Sequence, residues 1–166
     1  KGIMQNRLDL FSEFDLVYKG WGFRVSGAGW YDKVYNSDTD NDSPFTYNAF
    51  SVPNTQFTER AKKLAGKKAE LLDAFVFGKV AIGEGAWSFR AGKHTIQWGE
   101  SLFFGGNGIA GTQQPLDILK LLSVPNAQFK EIIRPVNQFS TQWQISPKVA
   151  IGAYYQFEWK GNRLPP

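Results

Sequence analysis

Lys148-Val149-Ala150-Ile151-Gly152-Ala153-Tyr154-Tyr155-Gln156-Phe157-Glu158-Trp159-Lys160 reads as a β-strand with two unlike faces. Successive side chains of a strand point to opposite sides. Val149, Ile151, Ala153, Tyr155, Phe157 and Trp159 therefore share one face, and Lys148, Ala150, Gly152, Tyr154, Gln156, Glu158 and Lys160 the other. One face is oily and the other wet. Such an arm suits the half-buried strand of a soluble sheet. Its length also fits a tilted membrane crossing, which takes about 9–11 residues, and its oily face ends in aromatics as interface girdles do. Upstream, the turn Ser146-Pro147-Lys148 joins it to a partner that sets Asn137, Phe139, Thr141, Trp143 and Ile145 against Gln138, Ser140, Gln142 and Gln144.

Two more hairpins follow the same rule. From Arg7 to Tyr18, Leu8, Leu10, Ser12, Phe14, Leu16 and Tyr18 oppose Arg7, Asp9, Phe11, Glu13, Asp15 and Val17. Lys19-Gly20 turns the chain into Trp21, Phe23, Val25 and Tyr31 against Gly22, Arg24, Ser26, Trp30 and Asp32. A two-residue turn pairs Tyr18 with Trp21, so Leu16 meets Phe23 and Asp15 meets Arg24, and both faces stay chemically consistent. In the third strand Leu72, Ala74, Val76, Val80 and Ile82 oppose Leu71, Asp73, Phe75, Phe77 and Lys79. Gly83-Glu84 leads to Trp87, Phe89 and Ala91 against Ser88, Arg90, Gly92 and His94, which predicts Lys79 opposite Ser88, Phe77 opposite Arg90 and Asp73 opposite His94.

The sequence thus predicts strands near 7–18, 21–33, 70–82, 85–97, 135–145 and 148–160, with long connections over 36–69 and 98–134. In the first connection, 58–68 has the composition of a short basic helix; in the second, Leu116 to Leu122 and Ala127 to Ile133 are apolar pieces of helical character. Connections alternate between tight and long. Outer-membrane barrels carry short periplasmic turns and long extracellular loops, whereas a sandwich has no reason to place every long loop at one end. Closure needs at least about eight strands. The expected fold is therefore all-β: a six-stranded fragment of a larger antiparallel transmembrane β-barrel, with 1–166 as the N-terminal part of one barrel domain.

Composition is compatible with this and narrows the chemistry. Aromatics make up 16% of the 166 residues and there are 17 glycines, a profile of strands and turns. No uncharged apolar run approaches the roughly 18 residues of a spanning helix. The net charge of +4 favours anionic surfaces without demanding nucleic acid. One histidine and no cysteine exclude disulfides, thiol nucleophiles and thiolate metal sites. Lys1-Gly2-Ile3-Met4 has no apolar core of a signal peptide, so the chain is expected to be mature or to begin inside a longer protein.

Several runs carry a family resemblance: Leu71-Leu72-Asp73-Ala74-Phe75-Val76-Phe77-Gly78, Arg90-Ala91-Gly92-Lys93, Gln97-Trp98-Gly99-Glu100-Ser101-Leu102-Phe103-Phe104, Pro115-Leu116-Asp117, Lys130-Glu131 and Tyr154-Tyr155-Gln156-Phe157-Glu158-Trp159. Together they resemble the Gram-negative outer-membrane family known as domain of unknown function thirteen-oh-two. The resemblance covers most of Arg7 to Pro166 and implies a large barrel, often encoded beside lipid-carrier-like and efflux-type transport genes. It implies traffic of hydrophobic compounds and supplies no catalytic residues.

On these grounds the expected function is an outer-membrane channel or transport protein for hydrophobic or amphipathic small molecules. The alternatives are a soluble glycan-binding β-sandwich and a structural outer-membrane protein without transport. Expected pore-lining residues are Asp9, Glu13, Asp15, Arg24, Asp73, Phe75, Phe77, Lys79, Arg90, His94, Gln138, Gln142, Gln156 and Glu158. Expected lipid-facing residues are Leu16, Phe23, Val76, Phe89, Trp143, Ile151, Tyr155, Phe157 and Trp159. The apolar 97–135 connection is expected to fold into or over the lumen as a constriction or plug. His94 with Asp73 could make a base and its orienter, but hydrolysis also needs a placed nucleophile and oxyanion donors, so no enzyme is expected.

Asp38-Thr39-Asp40-Asn41-Asp42-Ser43 imitates an EF-hand loop, but Ser43 replaces the glycine and Ala49 the bidentate glutamate. Gly106-x-Gly108-x-x-Gly111 opens no βαβ unit. No metal or cofactor is expected. Expected partners are outer-membrane lipid, lipopolysaccharide phosphates at Arg60, Lys62, Lys63, Lys67 and Lys68, a hydrophobic small-molecule cargo, and a periplasmic carrier or efflux-type transporter. Nucleic acid is not among them.

Overall fold

The structure is a computed structural model and describes residues 3, 5–43, 52–96, 114–124 and 132–165. Six strands, β1 (Arg7–Tyr18), β2 (Trp21–Asp32), β3 (Lys67–Ile82), β4 (Gly85–His94), β5 (Val136–Ser146) and β6 (Val149–Gln156), form one antiparallel sheet in the order β1-β2-β3-β4-β5-β6. Each strand pairs with its neighbour in sequence, and tight turns alternate with long connections along the chain. Lys19 (φ 48°) and Gly20 (φ 84°) both sit at positive φ, as a type I′ hairpin turn requires. Gly83 (φ 60°) supplies the same freedom to the β3–β4 turn. No described helix is long and apolar enough to cross a membrane.

The described chain comprises two compact units. The first contains Lys1–Ser12, Ala28–Glu70 and Leu164–Pro166. Here Asp32, buried at the end of β2, caps the short helix α1 (Lys33–Asn36) by accepting from the Val34 amide at 2.9 Å and also accepts from the Asn6 amide. Trp30 is buried beneath the guanidinium of Arg7, 5.1 Å from its ring, and donates its indole N–H to the Leu64 carbonyl.

The basic helix expected over 58–68 is shorter than its composition suggests. Thr58 caps a single α-turn, Glu59–Ala61, which widens into a π-turn over Lys62–Gly66, and Lys67 is already extended. The cause is visible at Lys68, which pairs with Glu70 two residues on and lies over the Trp30 ring. That spacing belongs to one face of a strand, so β3 begins at Lys67 rather than at 70.

The second unit contains Glu13–Gly27 and Leu71–Arg163. Its register forms continuous rungs. Phe77 faces Arg90, Arg90 faces Ser140 and Ser140 faces Tyr154; the next rung runs Lys79, Ser88, Gln142 and Gly152. Between them lies Gly78, Phe89, Thr141 and Ala153. Adjacent rungs point to opposite faces, so the polar set and the oily set separate across all four strands.

Three strand ends are corrected by pairing. β4 stops at His94 instead of 97 because its partner begins at Val136. β6 stops at Gln156 instead of 160: Gln156 faces Gln138 and the Phe157 amide still reaches the Asn137 carbonyl, beyond which β5 offers little ladder. β2 ends at Asp32 rather than 33 because that residue caps α1. Of the expected helical pieces, Leu116 to Leu122 overlaps α2 (Ile118–Ser123), whereas most of Ala127 to Ile133 lies outside the described residues. Ile132 and Ile133 are buried, with Ile96, Leu119 and Val136.

Leu116, Asp117 and Ile118 are tied to the chain beyond β6. Arg163 exchanges backbone hydrogen bonds with Leu116 and Ile118, Asn162 accepts from the Leu116 amide, and the guanidinium of Arg163 pairs with the Asp117 carboxylate. Asp117 also caps α2 by accepting from the Lys120 amide at 3.0 Å. The Leu116 to Ser123 piece is therefore docked.

Candidate functional site

The polar face of the second unit gathers most of the residues singled out from the sequence. On β1 and β2, Arg24 grips Asp15 with two parallel bonds of 2.7 and 2.8 Å, and Glu13 stands 3.8 Å from the same guanidinium. Alternation puts Ser26 on this face, and its hydroxyl donates to Asp73 at 2.9 Å while accepting from the Asp73 amide. Ser26 is 1% exposed. The Arg24–Asp15 pair is half exposed, so water screens it despite the fork geometry. A double-mutant cycle with Arg24→Gln and Asp15→Asn should give a coupling of less than about 1 kcal/mol in denaturant titrations.

Further along, the imidazole of His94 is buried between Ser140 and Gly92, with Nε2 2.9 Å from the Ser140 hydroxyl and Nδ1 3.0 Å from the Gly92 carbonyl. A carbonyl only accepts, so Nδ1 carries a proton and Nε2 accepts from Ser140 when the ring is neutral. Gln138 donates to the His94 carbonyl at 2.7 Å and is 1% exposed, and its Oε1 has no partner among the described residues. Phe75 packs 5.4 Å from the His94 ring, and the Arg90 guanidinium lies over Phe75, 5.8 Å from its centroid. The side-chain bonds of Asp73 and His94 run to Ser26 and to Ser140 and Gly92, so the expected pair is not joined by a hydrogen bond.

Phe77 lies over Gly22, where a Cβ would stand 2.5 Å from the ring. Lys79, Arg90 and Gln142 are exposed, and Gln156 is half-buried opposite Gln138. Phe77, Lys79, Ser88, Arg90, Ser140 and Gln142, with Thr95 and Ile96 beyond the end of β4, line a hollow of about 730 Å³. Glu158, past the end of β6, accepts from Asn137 at 2.9 Å and pairs with Lys160 at 3.1 Å. Asp9 belongs to the first unit, where it takes two bonds from Arg7.

The other face carries the oily set. Ile151, Val76, Leu16, Trp143, Tyr155 and Phe157 are exposed and Trp159 is 79% exposed, whereas Phe23 and Phe89 are half-buried. Trp21 and Phe89 meet edge to face at 5.4 Å over Gly78, which has no side chain to keep them apart. Trp87 continues the row 5.2 Å from Phe89 and donates its indole N–H to Thr141 Oγ1 at 2.7 Å. Tyr155 and Phe157 pack edge to face in turn. Sequence alternation was enough to place these rings on one side; what it missed were the glycines they close over, and the docking of Asp117 onto Arg163, which no periodicity signals.

Elsewhere, the basic cluster is partly committed internally, since Lys62 pairs with Glu59 and Lys68 with Glu70, while Arg60, Lys63 and Lys67 are exposed. In the acidic loop, Asn54 ties down the Asn41 and Ser43 carbonyls. No three His, Asp or Glu side chains converge on a metal position among the described residues. The glycine motif at 106–111 and the resembling run 97–104 lie outside the described residues.

A family model described as "Protein of unknown function (DUF1302)" matches residues 1–166. No curated protein and no solved structure matches the chain.

Proposed function

The chain belongs to the DUF1302 family, whose description assigns no function, and we propose that it is part of an outer-membrane β-barrel conduit for hydrophobic or amphipathic small molecules. One observation carries this: the sheet is inside out by the standards of a protein folded in water. Ser26, His94 and Gln138 are each 1% exposed, while Ile151 is 56%, Tyr155 66% and Phe157 69% exposed. Water-soluble sheets bury the oily face and leave the polar face outside. Hydrocarbon solvates the reverse arrangement, with lipid on the oily side and polar groups toward a lumen.

The single sheet supports the same conclusion, because the glycan-binding sandwich requires a second sheet over the oily face and the described strands all belong to one. An up-and-down order in which tight turns alternate with long connections is the connectivity of outer-membrane barrels. Six strands fall short of closure, so the proposed barrel is completed by further strands. Its partners in this view are outer-membrane lipid, lipopolysaccharide near Arg60 and Lys63, the cargo, and a periplasmic carrier or efflux-type transporter. The role is passage, not catalysis, with the docked Leu116–Ser123 piece narrowing the lumen.

The test uses the full-length protein in planar bilayers together with uptake by a deletion strain. Discrete conductance steps and reduced uptake of apolar solutes are expected, along with a requirement for detergent in extraction. Release without detergent would overturn the membrane assignment; detergent dependence with no conductance and unchanged uptake would leave a structural outer-membrane protein.

A further inference from the structure

We propose that the hollow on the polar face is a seat for the oxyanion head of an amphipathic molecule, with Lys79 and Arg90 as the two cations that grip it. Lys79 faces Ser88 and Phe77 faces Arg90, so the two cations are diagonal neighbours on one face of β3 and β4. Their backbones stand about 7–8 Å apart, a span that two long side chains close around one small anion.

Neither cation has an ion-pair partner among the described residues, although both are described in full. Carboxylates on this face are already engaged: Asp15 and Glu13 with Arg24, Asp73 with Ser26, and Glu158 with Lys160. The Arg90 guanidinium rests over Phe75, which orients it without neutralising it. The two like charges repel one another across the diagonal. An anion from solution relieves that repulsion, and the arginine fork suits a carboxylate or phosphate oxygen pair.

The rest of the hollow explains why the anion should carry an apolar body. Phe77 and the buried Ile96 form its apolar wall, and the Gln142 side-chain amide adds a neutral donor beside the cations. Its volume of about 730 Å³ lies within the range of small-molecule sites. This deepens the conduit proposal and rests on it, because it names the class of cargo that would pause in the wall: organic acids with an aromatic or aliphatic tail.

Equilibrium dialysis of the detergent-solubilised full-length protein tests the seat, with phenylbutyrate, phenylbutanol and inorganic phosphate as probes. Phenylbutyrate is expected to bind about tenfold more tightly than phenylbutanol, from one set of charge-assisted hydrogen bonds. The Lys79→Gln/Arg90→Gln double variant should bind both equally, and Lys79→Arg should keep the preference. Equal binding of acid and alcohol by the unaltered protein, or a preference that survives in the double variant with its strand circular dichroism intact, overturns the seat. Phosphate binding as tightly as phenylbutyrate overturns the apolar wall. If the preference holds but no solute passes, the conduit fails and the seat stands; if solute passes without preference, the seat fails alone.

Discussion

Ile151→Arg in the full-length protein, refolded into lipid bilayers, is expected to cost about 1–3 kcal/mol of stability, between the interfacial and midplane values. Ile151 is the third residue of β6, opposite Trp143, and is 56% exposed on the oily face. In water an exposed strand position tolerates a charge within about 0.5 kcal/mol. In hydrocarbon the guanidinium has neither counter-charge nor water, and the side chain can only snorkel toward an interface. The two environments therefore predict effects several-fold apart from the same substitution. Gly152→Arg, one residue on and on the polar face, is the control and should cost far less than Ile151→Arg. Urea titration in lipid vesicles measures both; near-equal values would remove lipid from the oily face.

Asp117→Ala is expected to release the docked part of the second connection at a cost of about 3–5 kcal/mol, the range for removing one partner of a buried ion pair. Asp117 is 2% exposed, pairs with Arg163 and caps α2, so alanine removes a buried carboxylate from the guanidinium and uncovers a helix end together. The cap alone is worth about 1 kcal/mol. Asp117→Asn keeps the cap and loses the charge, which separates the two contributions. An Asp117→Leu/Arg163→Met pair removes both charges together, and much of the stability should return. Amide hydrogen exchange over 116–123 is the direct readout: protection should fall steeply in the alanine variant and recover in the double one. Unchanged protection would mean that the backbone bonds between Leu116, Ile118 and Arg163 hold this segment without the ion pair.

Much of the sheet was legible because alternation and tight turns fix it together. Once Gly83-Glu84 is taken as a two-residue turn, Phe77 must face Arg90 and Lys79 must face Ser88, and they do. The same logic brought Asp15 to Arg24. Strand ends were less legible, since they depend on where a partner begins: β6 stops at Gln156 despite four further alternating residues because β5 starts at Val136. Lys67 and Lys68 read as helix because a basic run is silent about period, and only Trp30 and Glu70 show which face they serve. Within the site, Ser26 was readable from its position two residues after Arg24, but its reciprocal bonding with Asp73 spans 47 residues and leaves no local trace.

The contact between Trp87 and Thr141 has a spectroscopic corollary. Indoles commonly settle near headgroups because their N–H seeks water. Trp87 already spends that proton on a neighbouring strand, 2.7 Å away. Its depth is thereby uncoupled from hydration, and it should emit as a dry, quencher-shielded chromophore wherever the wall places it. Thr141→Val would return the demand for a partner to the ring and shift its emission to the red.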